Sequence, residues 1–192
     1  MKQGKIAESV LKRSIFKQLH LKRPDVLLAA GIGEDCAAFA VAEDEVAVIS
    51  ADPVIWEDSL DGRCAVHANL NDLAAGGAEP VGLMLTALLP PEIEEAQMRQ
   101  MVQMIAQECE PLQVQILGGH TEVTDAVKRP VVSIAAVGKA KKGMLSTTTG
   151  AKPGDDIVVT KWIALEATAK LARSRREALL SRYPRHLLDD AE

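Results

Sequence analysis

Apolar and polar positions alternate in blocks that predict strands and helices in turn along the chain. Apolar residues recur at helical spacing over residues 5–20, which predicts a first helix. The run "EVAVISADP" (45–53) is β-branched and bounded by acidic residues, which is typical of a strand. Further strands are predicted at 81–90, 114–119 and 129–140.

Two further helices separate these strands. Residues 61–76 are mostly small and predict a helix that ends at Gly76-Gly77. Residues 91–110 predict a helix with Pro91 near its start, acids in its first turn and a methionine stripe that faces the core. Interleaved strands and helices of this kind favour an α/β (α+β) domain.

The pattern changes near residues 145–152. The stretch "TTTGAKPGDDIVVTKW" (147–162) is polar and rich in turn residues, then predicts a new strand, and a helix follows at 163–182. We therefore divide the chain into a first domain, 1–148, and the start of a second, 149–192. One strand and one helix are too little to build a core of their own.

Composition narrows the function classes. Apolar residues make up 47% of the 192 residues and aromatic residues only 3%, so the core is expected to be aliphatic. The net charge is −5 and no long basic stripe occurs, which argues against nucleic-acid binding. The basic segment 170–185 fits a solvated helix face or a binding patch, and the solvated face is favoured.

Cysteine usage and hydropathy indicate where the protein works. Cys36, Cys64 and Cys109 are widely spaced and odd in number, which favours reduced thiols. The N-terminal segment carries charges throughout and lacks the apolar stretch of a signal peptide. Apolar runs are too short to span a membrane. We expect a soluble cytoplasmic protein.

Three aspartates interrupt or follow apolar segments: Asp35 in "GEDCAAF", Asp52 in "VISADP" and Asp72 in "NLNDLAA". An aspartate packed among apolar neighbours is costly as an anion unless it is hydrogen-bonded, paired or metal-bound. Oxygen ligands of this kind suit Mg²⁺, which often shares its shell with substrate phosphates. Each aspartate by itself also fits a turn or cap.

The segment "ILGGHTEVT" (116–124) is predicted to end a strand in a glycine pair, Gly118-Gly119. Such glycines let the backbone approach a ligand closely, and consecutive N–H groups can bind an anion, but a glycine pair also fits a simple turn. His120 follows the pair as a candidate catalytic residue or an ordinary polar one.

Common nucleotide and hydrolase motifs do not occur. "GIGEDC" (31–36) begins as G-x-G-x-x-G does, but Cys36 stands where the third glycine belongs, which disfavours a Rossmann dehydrogenase. The sequence contains neither a P-loop nor a G-x-S-x-G nucleophile elbow.

The segments "GEDCAAF", "VISADP", "ANLNDLAAGGAEPVGLMLTALLP" and "LGGHTEVT", in this order, resemble the aminoimidazole ribonucleotide synthetase-like superfamily. Its members include thiamine-monophosphate kinase, selenophosphate synthetase and the hydrogenase maturation protein that makes the nitrile ligand. The chain resembles most the hydrogenase maturation branch or the uncharacterised synthetase-related branch. The resemblance runs from about residue 4 to residue 172, and the motif around Asp72 is its most specific part.

This resemblance implies a mixed sheet with helices on one face, and a homodimer whose two sheets close into a barrel. It implies ATP bound at that interface and phosphoryl transfer to an oxygen nucleophile such as an amide or carbamoyl group, with an acceptor left undefined. Carried over position by position, it implies Mg²⁺ ligands at Asp35, Asp52 and Asp72, and cofactor-binding residues at Asn71, Gly118, Gly119 and Thr121.

The sequence also departs from the family pattern. His120 stands where most members carry an acid, although selenophosphate synthetase also has a histidine there. The sequence does not contain the cysteine-bearing tail of the hydrogenase factor. Because the family's second domain is about as large as the first, the second domain here is expected to be truncated. Two functions follow: the N-terminal half of an ATP- and Mg²⁺-dependent enzyme, or a non-catalytic dimeric nucleotide-binding module without the substrate domain.

Overall fold

A computed structural model of the chain describes residues 3–32, 37–57, 59–159 and 163–191. The chain divides into two compact units between Thr147 and Thr148. Of the sites predicted above, Asp35 lies outside the described residues.

Seven strands belong to the first unit. They are β1 (Gly4–Lys5), β2 (Val26–Leu28), β3 (Ala38–Phe39), β4 (Glu45–Ile55), β5 (Glu79–Leu89), β6 (Gln115–Val123) and β7 (Val131–Lys141). Five of them form one sheet in the order β1-β6-β5-β7-β4, and β2 pairs with β3 in a separate ribbon. Only β5 and β6 run parallel, so the sheet is mixed, as predicted.

The helices of this unit follow the predicted pattern with shifted ends. The N-terminal segment begins as α1 (Glu8–Val10) and continues as a π-helical turn, Leu11–Ile15, and a 3₁₀ turn, Phe16–Gln18. The two long helices are α2 (Ser59–Ala75) and α3 (Glu95–Cys109).

Local chemistry sets the ends of the long helices. Glu94 and Gln97 form a reciprocal capping box at the start of α3. After α2, Gly77 adopts φ +76°, and a Cβ there would lie 2.6 Å from the Met144 carbonyl oxygen. The glycine pair therefore ends the helix, as predicted.

Helices α2 and α3 follow β4 and β5 respectively and pack on one face of the sheet, where the aliphatic core lies. Leu73 of α2 and Ile134 of β7 are fully buried in it. The methionine stripe of α3 is part of this core: Met98 and Met101 are buried, and Met104 packs against them. The core is aliphatic, as the composition predicted.

The opposite face of the sheet, called the open face below, is also largely apolar. Side chains alternate along β4, so Val46, Val48 and Val54 pack against the core while Ile49 and Ile55 point the other way. Ile49 is 66% exposed.

The second unit differs from its prediction. Its described residues form three short helices, α4 (Leu165–Ser174), α5 (Arg176–Leu180) and α6 (Arg185–Ala191), where one helix over 163–182 was predicted. The predicted strand is wrong for the described residues 155–159, which are irregular. A strand needs a hydrogen-bonding partner, and the described part of this unit contains none, so Ile157 is left 95% exposed.

Two other predictions from the sequence concern membrane spanning and the cysteines. No helix among the described residues has the length and apolar character that crossing a membrane requires. Cys64 and Cys109 are not disulfide-bonded in the part of the chain that the structure describes, and burial of Cys109 raises the pKa of its thiol to about 12.

Candidate functional site

Strand β4 and helix α2 bring two of the predicted aspartates to one edge of the sheet. The Ser50 hydroxyl donates a 2.6 Å hydrogen bond to a carboxylate oxygen of Asp72 on α2. Asp52 lies two residues beyond Ser50 on the same face of β4, about 7 Å along the strand. The side chains of Asp52 and Asp72 are therefore neighbours, and both residues are exposed.

A second bond ties the same strand to the same helix. The backbone N–H of Asp52 donates to Asn69 Oδ1 at 3.1 Å, and Asn69 Nδ2 donates to the Ala65 carbonyl at 2.9 Å. Asn69 is only 1% exposed. We call Ser50, Asp52, Asn69 and Asp72 the carboxylate edge.

The donor set of the carboxylate edge suits Mg²⁺, because two exposed carboxylates leave room for phosphate and water ligands. Among the residues that the structure describes, no three His, Cys, Asp or Glu side chains gather into a metal site. The third predicted ligand, Asp35, is outside those residues.

The predicted glycine pair lies inside a strand. Strand β6 continues four residues past Gly119, so the prediction that the strand ends at this pair is wrong. The register with β5 shifts next to it, between Leu83 and Met84, which marks a bulge.

The two glycines differ in what the fold requires. Gly119 has φ +148°, and a Cβ there would lie 1.8 Å from the Leu85 carbonyl oxygen, so strand pairing itself demands glycine. A Cβ on Gly118 would meet only the Met84 side chain, at an ordinary 3.5 Å. The fold therefore does not require a glycine at position 118.

His120 and Thr121 follow on the same strand with side chains on opposite faces. His120 Nε2 lies 3.3 Å from a Glu122 carboxylate oxygen. Thr86 of β5 pairs with His120, and Ser133 of β7 pairs with Thr86, so these side chains share the open face. Thr121 points to the face that carries the helices.

The strand order separates the carboxylate edge from the predicted residues Gly118, Gly119, His120 and Thr121 of β6, which we call the glycine strand. Asp52, Ile134, Leu85 and Gly119 occupy one row across β4, β7, β5 and β6. Three strand spacings amount to about 14 Å. In addition, His120 lies on the open face and Asp52 on the helix-covered face. Within one chain, the structure does not bring the glycine strand and the carboxylate edge together.

Sequence reasoning assigned a role to Asn71 and none to Asn69 or Ser50. Asn71 is exposed on α2, whereas Asn69 is buried and bonded to Asp52. The alternation of side chains along β4 was the available signal for Ser50, since Ser50 and Asp52 are two residues apart. No sequence signal paired Asn69 with a strand residue 17 positions away.

The densest charge network lies at the other end of the sheet. Arg23 makes two 2.8 Å hydrogen bonds to Asp25 and one of 3.1 Å to Glu79. Lys139 of β7 adds a 3.0 Å bond to Asp25. The Arg23 guanidinium, and then the Lys139 ammonium, hold the pKa of Asp25 far below its usual range. We call this network of Arg23, Asp25, Glu79 and Lys139 the clamp. It fixes the chain just before β2.

Comparisons with known proteins give the chain a family. The family described as AIR synthase related protein, N-terminal domain, matches residues 33–140. Thiamine-monophosphate kinase of Escherichia coli is 33% identical over 154 residues, which cover 76% of this chain and 45% of the kinase. Carbamoyl dehydratase HypE of Cupriavidus necator is 30% identical over 154 residues, which cover 77% of this chain and 43% of that protein. The chain thus spans less than half the length of these two relatives.

A solved structure agrees at the level of the fold. The hydrogenase maturation protein HypE, crystallised in complex with ATP, matches with a TM-score of 0.64 at 18% identity, over 76% of this chain and 43% of that one. At this identity the likeness shows a shared fold.

Proposed function

This chain belongs to the AIR synthase related protein family through its N-terminal domain, and we propose that it binds ATP together with Mg²⁺. The observation that carries the proposal is the carboxylate edge, where the 2.6 Å bond from Ser50 to Asp72 holds that carboxylate against strand β4, two residues from Asp52. The kinase relative and the ATP complex of the structural neighbour support the choice of ATP.

Asp52 and Asp72 would hold Mg²⁺, with Asp35 as the further ligand that the family resemblance implies. The bound ion neutralises charge on the phosphates during transfer. We propose that the reaction class is phosphoryl transfer to an oxygen nucleophile, such as an amide or carbamoyl oxygen, and that Gly118, Gly119, Asn71 and Thr121 contact the nucleotide. In this proposal His120 is the candidate catalytic residue beside the phosphates.

The separation of the two groups supports a homodimer. A glycine strand about 14 Å from the carboxylate edge, and on the other face, does not complete a site within one chain. A second copy packed on the open face would bury Ile49 and Ile55 and would bring its own strands to the face that carries His120. The apolar character of the open face favours such an interface.

A second candidate is a dimeric module that binds nucleotide without catalysing transfer. It is favoured by the second unit, whose described residues form only short helices and leave Ile157 exposed. Formation of ADP from ATP in the presence of carbamoyl compounds or thiamine monophosphate separates the candidates, because phosphoryl transfer to either acceptor leaves ADP, whereas the module binds ATP and forms none.

Calorimetry with Mg²⁺ and ATP tests the proposal. The double variant Asp52→Asn, Asp72→Asn should lose binding, since both metal ligands become neutral. Asp44→Asn is the matched control, because Asp44 is exposed and pairs with Lys141. Equal affinity in the wild type and the double variant would remove the metal assignment.

A further inference from the structure

Asn69 is a buried side chain whose hydrogen bonds lead to a predicted metal ligand. Its carbonyl oxygen accepts from the Asp52 N–H and its amide nitrogen donates to the Ala65 carbonyl. A buried amide is stable only when both ends are satisfied, and here one end is satisfied by the backbone of Asp52 itself.

Strand β4 needs this bond because it is an edge strand. Among the described residues β7 is its one neighbour in the sheet, so N–H groups that point away from β7 have no strand partner there. The Asp52 N–H is one of them, and α2 covers the edge at this point. Removing the Asn69 side chain would free the Asp52 backbone to rotate and leave a polar group unsatisfied.

Two cross-links together set the geometry of the carboxylate edge. Asn69 and Asp72 are one helical turn apart on α2, while Ser50 and Asp52 are two residues apart on β4. The bonds Asn69–Asp52 and Asp72–Ser50 therefore join the helix to the strand at two points. Two points fix both the distance and the rotation between the elements, and so the separation of the two carboxylates.

We propose that Asn69 is a positioning residue that holds the Asp52 carboxylate in place for Mg²⁺. This inference rests on the proposed function, because it assumes that Asp52 binds the metal. An amide satisfies both neighbours, since it combines an acceptor for the N–H with a donor for the carbonyl.

Affinity for Mg²⁺ and ATP, measured by calorimetry on the full chain, tests the role. Asn69→Leu keeps the branching at Cγ and the number of side-chain heavy atoms but removes both hydrogen bonds, and we expect affinity to fall about tenfold, as is usual when a residue supporting a metal ligand is lost. Ser14→Ala is the matched control, because Ser14 is equally buried and its hydroxyl bonds Glu95, away from the site. It should lose stability without losing affinity.

A coupling experiment separates positioning from a general effect on folding. In an Asp52→Asn background the ligand charge is already gone, so Asn69→Leu should cause no further loss of affinity. Should Asn69→Leu fail to fold by circular dichroism, the same comparisons are made with Asn69→Ser, which retains a hydroxyl and is expected to weaken binding in the same direction.

The outcomes distinguish this inference from the function on which it rests. If Asp52→Asn binds as the wild type does, the proposed function fails. If Asp52→Asn weakens binding but Asn69→Leu behaves as Ser14→Ala does, only the positioning role fails. An equal loss from Asn69→Leu with and without Asp52 also overturns the positioning role.

Discussion

Both faces of the sheet are largely apolar, but they differ in how far their side chains are buried. On the helix-covered face, Leu73 and Ile134 are fully buried among aliphatic neighbours. On the open face, Ile49 and Ile55 remain exposed, although Val48 of the same strand is partly buried against the core. A soluble monomer rarely keeps such a face uncovered. The difference suggests that one face stabilises the fold and that the other is available for assembly.

The largest expected effect comes from the helix-covered face. Leu73→Ala removes a fully buried side chain that packs against β7 at Gly138, so we expect a loss of about 3 kcal/mol in the free energy of unfolding. Urea denaturation followed by circular dichroism measures it. Ile49→Ala is the control on the open face and should cost less than about 1 kcal/mol at low protein concentration. Equal losses would mean that the two faces do not differ.

The second-largest expected loss of stability comes from a substitution in the glycine pair. Gly119→Ala places a Cβ against the Leu85 carbonyl at a positive φ, so we expect about 2–3 kcal/mol of destabilisation or failure to fold. Gly118→Ala, the matched control, only adds a methyl group beside Met84 and should fold as the wild type does. Thermal unfolding of both variants is the measurement. If the Gly118 variant is the less stable one, the distinction between the glycines is wrong.

These elements also show which features of the fold can be predicted from the sequence. Spacing alone predicted the buried Met98 and Met101, the end of α2 at its glycines and the strand that precedes Asp52. Spacing does not report strand order, so it gave no sign that Gly119 and Asp52 lie in one row but three strands apart.

Contacts between residues that are distant in sequence could not be predicted either, because spacing does not report how the elements pack. The bond from Asp52 to Asn69 depends on how α2 crosses the sheet, which no local pattern specifies. Apolar β-branched residues predicted a strand over 157–159, but whether a strand forms depends on a neighbour elsewhere in the chain.

A charge on the open face gives a third, intermediate effect. Ile49→Lys would bury an unpaired ammonium in the proposed dimer, so we expect the dissociation constant to rise at least about tenfold, equivalent to about 1.4 kcal/mol. Sedimentation velocity over a range of concentrations measures it. Leu112→Lys, on an exposed turn after α3, is the control. A wild type that stays monomeric throughout would contradict the assembly role of this face.

The smallest effect concerns the clamp at one end of the open face, where Lys139 meets Asp25. Because the pKa of Asp25 is lowered in the folded protein, first by Arg23 and then by Lys139, the stabilisation is complete above the unfolded pKa of about 4 and is lost as the pH falls toward the folded value.

Lys139→Met should therefore cost about 1 kcal/mol between pH 5 and 8, and its difference from the wild type should narrow only when the pH falls through the folded-state pKa of Asp25 in the variant, which Arg23 still holds below its usual range. Urea denaturation at a series of pH values is the measurement. Lys141→Met is the matched control on the same strand, because Lys141 pairs with Asp44 where both side chains are exposed, and it should cost less stability than Lys139→Met does. An equal loss from Lys139→Met in an Asp25→Asn background would show that Lys139 stabilises this end of the sheet through its aliphatic stem, and the clamp would then be part of the apolar face and not its charged border.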